Sequence, residues 1–103
     1  MNDEVSDVAQ IVRERIPVGY DAAEMQANLA DFYSDFTIEY TRDGGSPRTF
    51  PSGLEFSEKL SLALLALRAK VLEERADVLT AVNAIVPREG EFTMRFSYGD
   101  GAS

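Results

Sequence analysis

Apolar residues recur along this chain with two periods, and the longest regular run lies between Ser52 and Arg75. At about 100° per residue, Phe56, Leu60, Ala63, Leu64, Leu67 and Val71 fall on one stripe of a helix, while Leu62, Leu65, Ala69 and Leu72 fall roughly opposite. The interior of this stretch lacks Gly and Pro and is rich in good helix formers. Ser52 followed by Glu55 reads as a capping box, and Pro51 with Phe56 as a hydrophobic staple. A helix that is apolar on two sides is covered twice. A sheet is expected on one stripe. The other is expected under a second helix or, as the alternative, at a partner or dimer surface.

The second helix is predicted from Asn2 to Ile16. Val5, Val8, Ala9, Ile11, Val12 and Ile16 give it an apolar side, and Asp3 and Glu4 suit its N-terminal dipole. Pro17 stops it, because a residue before proline avoids the α region. This helix is the expected cover for the second stripe of the long one. From Ala23 to Thr41 the pattern becomes strand-like. Phe36, Ile38 and Tyr40 alternate with Thr37, Glu39 and Thr41, a period of two, and Ser34-Asp35 is the expected turn between two strands. The earlier part, with Met25, Ala27 and Leu29, also tolerates a helix. Val78–Val86 is rich in strand formers, Pro87–Glu91 reads as a hairpin loop, and Phe92, Met94, Phe96 and Tyr98 alternate with Thr93, Arg95 and Ser97 to give a buried aromatic face. The expected fold is α+β in the order α-β-β-α-β-β, an antiparallel sheet with both helices on one face, forming one domain over residues 1–103.

Composition narrows the chemistry. The chain has 103 residues, a formal net charge of −8, no Cys and no His. Without them it has no thiol nucleophile, no imidazole base and no disulfide, and a zinc site would have to be all carboxylate. No cofactor is expected. The acidic balance disfavours direct nucleic-acid binding, which requires phosphates to be neutralised by Lys and Arg, and favours basic protein partners. No apolar run approaches the roughly 20 residues that span a bilayer, and MNDEVSDVAQ lacks the apolar segment of a signal peptide, so a cytoplasmic location without membrane contact is expected. The loop Arg42–Pro47 holds Asp43-Gly44-Gly45 but lacks the GxxxxGK[ST] pattern of a phosphate loop.

Two phrases, Ile16-Pro17-Val18-Gly19-Tyr20 and Glu89-Gly90-Glu91-Phe92-Thr93-Met94-Arg95-Phe96-Ser97-Tyr98-Gly99-Asp100, carry a resemblance. The order of elements together with these phrases resembles the YezG-like immunity proteins, bacterial antitoxins that neutralise polymorphic toxins. That family tends to have Pro-x-x-Trp in the first phrase, where this chain has Tyr20. Its closing strand reads Gly-x-Phe-x-x-x-Phe-x-Tyr followed by acidic residues, of which Asp100 remains here. Leu64, Leu67 and Arg68 are similar to the Leu-x-x-Leu-Arg of its long helix. The resemblance covers about Gln10 to Asp100. It implies a non-enzymatic inhibitor of a co-encoded toxin enzyme, often a nuclease.

Under that implication the acidic surface has a physical role, since carboxylates compete with phosphate for the basic cleft of a nuclease. The candidate partner-binding residues are Asp31, Asp35, Glu39 and Asp43 around the first hairpin, with Glu89, Glu91 and Asp100 at the second. Glu39 is expected to point away from Phe36, Ile38 and Tyr40. The plain alternative is that these are solvated loop and edge charges that deter aggregation. Two rivals stand beside the inhibitor. One is an enzyme using Glu73, Glu74 and Asp77, or Asp43 with Glu55. In the other, a homodimeric adaptor or secretion-chaperone-like protein, Leu62, Leu65 and Leu72 form the dimer seam.

Overall fold

A computed structural model of the chain describes residues 2–30, 34–42, 45–49 and 53–99. The chain runs α1 (Asn2–Glu14), β1 (Ala22–Leu29), β2 (Ser34–Thr41), α2 (Leu54–Arg75), β3 (Val78–Pro87) and β4 (Thr93–Gly99). The four strands form one sheet in the order β2-β1-β3-β4, with every neighbouring pair antiparallel. The strand-like reading of Met25, Ala27 and Leu29 is therefore the one the fold adopts. Ser34 and Asp35 are not a turn: they open β2, opposite Leu29 and Asn28. Phe32 and Tyr33, just before them, are outside the described residues.

Helix α2 starts at Leu54, with Gly53 at the cap position (φ 77°) and no side-chain cap hydrogen bond. Ser52 and Pro51, which were to supply the capping box and staple, lie outside the described residues. Phe56 packs edge-to-face on Phe36, with ring centroids 6.3 Å apart. Helix α1 ends at Glu14 rather than Ile16, and Arg15 and Ile16 tighten its last turn by bonding to the carbonyls of Val12 and Arg13. At the far end of α2, Ala76 adopts the left-handed conformation (φ 59°) and donates its N–H to the Leu72 carbonyl. That cap usually belongs to glycine, which has no Cβ to strain. Ala76→Gly is therefore expected to stabilise the domain by about 1 kcal/mol in urea unfolding, where a loss of stability would contradict the strain argument.

Leu60, Leu64, Leu67 and Val71 of α2 are fully buried, with Phe56 and Ala63 packed beside them, so the first predicted stripe is the core face. It meets Ala23, Met25, Ala27 and Leu29 of β1, Ile38 and Tyr40 of β2, and Leu79, Val82, Ala84 and Val86 of β3. Burial of Tyr40 pushes its phenol above the ordinary value of 10.0, an effect that the nearby Arg15 charge opposes. Val8, Ala9 and Val12 of α1 join the same core. The two helices thus lie side by side on one face of the sheet, and α1 does not cover the second stripe of α2. Leu62 is 69% exposed and Leu72 51%. The row on β4 also differs from expectation: Met94, Phe96 and Tyr98 are half-buried rather than buried, because β4 is an edge strand.

Candidate functional site: the open face of the sheet

The register of the strands fixes what the other face of the sheet displays. Residues directly opposite one another in an antiparallel pair share a face. One row across the sheet is Glu39, Glu24, Ile85 and Thr93; the next is Thr37, Gln26, Asn83 and Arg95; the third is Asp35, Asn28, Ala81 and Ser97. Apart from the half-buried Ala81 these side chains are exposed, and among the described residues no helix lies over them. The face is polar because the strands alternate: β1 reads Glu24, Gln26, Asn28 outward and Ala23, Met25, Ala27, Leu29 inward.

Charge is graded across this face. The acids Asp35, Glu39 and Glu24 sit on β2 and β1, uncharged amides occupy the middle, and Arg95 stands on β4. Glu24 and Glu39 are direct cross-strand partners. Like charges placed opposite each other destabilise a sheet, by roughly 0.2–1 kcal/mol. Glu24, Gln26, Asn83, Ile85, Thr93 and Arg95 border a shallow hollow of about 270 Å³.

Of the predicted partner-binding residues, the structure brings Asp35 and Glu39 together on this face, with Glu39 pointing away from the Phe36, Ile38, Tyr40 side as expected. Glu89 and Glu91 are exposed in the β3–β4 loop, beyond the sheet face, at the end nearest the Glu24–Glu39 row. Asp31, Asp43 and Asp100 lie outside the described residues. Glu24 was not among the candidates. Its signal was the polar phase of the β1 alternation, which acquires meaning only once Glu39 is known to sit opposite.

The rival constellations fare differently. Glu73 and Glu74 are exposed at the end of α2, and Asp77 pairs with Arg75 at 3.4 Å. Among the described residues no group of three acidic side chains is arranged to hold a metal ion. A hollow of about 540 Å³ opens between the end of α1 and the start of α2 and mixes Glu14, Arg15, Glu55 and Lys59 with Ile11 and Phe56. A third, of about 290 Å³, is apolar: Leu65, Ala69, Leu72 and Val78 line it with Arg68, whose Nε donates to the Leu79 carbonyl at 3.2 Å. No helix among the described residues is long and apolar enough to cross a membrane.

Two arginines tie the segment between α1 and β1 to the β3–β4 loop. Arg88 donates from Nε to the Tyr20 carbonyl at 2.8 Å and from Nη2 to the Pro17 carbonyl. Arg13 donates from Nε to the Pro87 carbonyl at 3.0 Å and from Nη2 to that of Gly90 at 2.6 Å. Between them, the Pro17–Tyr20 turn, closed by Tyr20 N–H to the Pro17 carbonyl with Gly19 at φ 91°, is clasped to the β3–β4 loop. No family model matches the chain, and no curated protein matches it in sequence.

Proposed function

We propose that the protein is an immunity-type inhibitor, a YezG-like antitoxin that binds a basic toxin enzyme, a nuclease, through the acidic part of its open sheet face. The observation that carries this reading is the Glu24–Glu39 pair with Asp35 on the same uncovered face. Two carboxylates held opposite each other without an intervening cation cost stability. A guanidinium or ammonium from a partner removes that cost, so the arrangement favours association with a positive surface. The chain's net charge of −8 steers such a partner in and repels the polyanion the partner would otherwise hold. The inhibitor blocks by occupying the cleft, with no chemical step of its own. Its place of action is the cytoplasm, where a co-encoded toxin would first threaten the cell.

The test begins with native capture of the tagged chain from its source cell, followed by intact mass and stoichiometry of what elutes. One folded basic enzyme domain per chain, released by salt, is the expected result. With that partner in hand, D35K/E39K should weaken binding by about 10–100-fold, since rim and face charges act mainly through electrostatics, and wild-type affinity should fall with ionic strength. Unchanged affinity with an intact circular-dichroism spectrum would remove the interface from this face.

A second reading, the homodimeric adaptor or secretion-chaperone-like protein, is favoured by the exposure of Leu62 and Leu72 on α2. It expects unfolded clients in the same capture and no salt-released enzyme.

A further inference from the structure

The two edges of the sheet are not finished alike. On the β2 edge the chain folds back, and Arg48 exchanges both main-chain hydrogen bonds with Tyr40, at 2.7 and 2.9 Å. That strand also carries Asp35 and Glu39. A covering segment and charge are two devices that stop an edge from recruiting another strand. Strand β4 has no covering segment among the described residues: it pairs only with β3, and its sequence TMRFSYG carries a single charge, Arg95, with no acid and no proline. In a chain with 18 acidic residues this seven-residue edge is one place where two copies can approach without carboxylates meeting.

The direction of its main-chain groups follows from one contact. Thr80 Oγ1 donates to the Ser97 carbonyl at 3.2 Å, so Ser97 turns its backbone towards β3. Alternation along an antiparallel strand then turns the N–H and C=O groups of Met94, Phe96 and Tyr98 to the open side. The side chains of those same residues form the half-buried row on the helix side of the sheet. Past the end of that row Gly99 pairs with Val78, which lines the groove with Leu65, Arg68, Ala69 and Leu72. Arg75 holds the ring of Tyr98 there, donating to its hydroxyl at 3.0 Å.

We propose that a second copy of this chain docks here, β4 against β4, in an antiparallel two-fold pairing centred on Phe96. Phe96 is the middle residue of β4, so this register overlaps the strand from end to end. Phe96 meets Phe96 of the second copy, Met94 meets Tyr98, and the outward main-chain groups of all three find partners. On the open face Arg95 stands opposite Ser97 of the other copy. A pairing centred on Arg95 would instead set two guanidiniums directly opposite, which is unfavourable. The result is one continuous eight-stranded sheet with the acidic strands at its two far ends. The seam leaves Asp35, Glu39 and Glu24 free, so this inference and the inhibitor reading stand or fall separately.

The chain's lack of cysteine makes the register directly measurable. Wild-type protein at about 100 μM should sediment as a dimer. Arg95→Cys and Ser97→Cys both fall on exposed positions. Mixed under oxidation, R95C and S97C chains should cross-link to each other, and each variant alone should cross-link far less, because like positions lie on a diagonal beyond disulfide reach. A monomer at that concentration overturns the proposal. So does a dimer whose mixture cross-links no better than either variant alone, and so does a monomer that pairs only with an extended segment of another protein.

Discussion

Replacing Leu64 by alanine should lower the unfolding free energy by about 3 kcal/mol, while the same change at Leu62, two residues away, should move it by less than about 0.5 kcal/mol. Leu64 has no exposed surface and sits in the middle of the buried stripe of α2, between Leu60 and Leu67. Removing its isobutyl group loses the transfer free energy of the buried atoms and leaves a cavity, bounded by a sheet and a second helix, that cannot collapse fully. Leu62 is 69% exposed on the other side of the same helix, so truncating it removes little from water-free packing. Helix propensity does not confound the pair, since both changes replace Leu with Ala. Urea unfolding followed by circular dichroism measures both values. Equal losses at the two positions would mean that the second stripe is covered in solution, which would itself point to an oligomer seated on it.

That contrast also marks where the sequence could and could not be read. Helical periodicity located both stripes of α2 and the positions on each, because spacing along one element is a local property. What covers a stripe is not local. Four strands about 4.8 Å apart make a platform wide enough for two helices at 8–10 Å separation, so α1 settled beside α2 on the sheet rather than above it. Val8 and Val12 then share the core with Leu64 and Leu67, and Leu62 and Leu72 stay in water. The same limit explains Ser34-Asp35: a short polar pair serves equally as a turn or as the start of an exposed edge strand, and only its pairing with Leu29 and Asn28 decides. At the candidate site, the outward direction of Glu39 followed from a period of two. Its partner Glu24 did not, since register across strands leaves no mark in either strand alone. The burial of the β4 row was overestimated for a related reason: alternation shows which residues share a face but not whether the strand lies at an edge.

The two arginines that clasp the β3–β4 loop left even less trace, and one of them should carry the largest effect of any exposed residue described here. Arg88→Ala is expected to cost about 2 kcal/mol, because a charged donor bonded to backbone carbonyls contributes more than a neutral one. Its guanidinium serves the carbonyls of Tyr20 and Pro17, and its own N–H bonds to the Asp21 carbonyl at 2.6 Å. Those acceptors belong to the segment between α1 and β1, which has no strand or helix to satisfy them. Arg88→Lys keeps the charge but cannot present two N–H groups in a fixed plane, so it should recover less than half of the loss. Arg13 holds Pro87 and Gly90 on the other side of the same junction. R88A and R13A should therefore be coupled in a double-mutant cycle, with an interaction energy of at least about 0.5 kcal/mol. Urea titrations of the four chains give the cycle directly, and strict additivity would separate the two clasps. The same variants bear on function. If both lose stability while the affinity for a captured partner is preserved, the two arginines act through packing of the loop junction alone. The interface then has to be sought on the strand face, where Glu24 and Glu39 stand opposed.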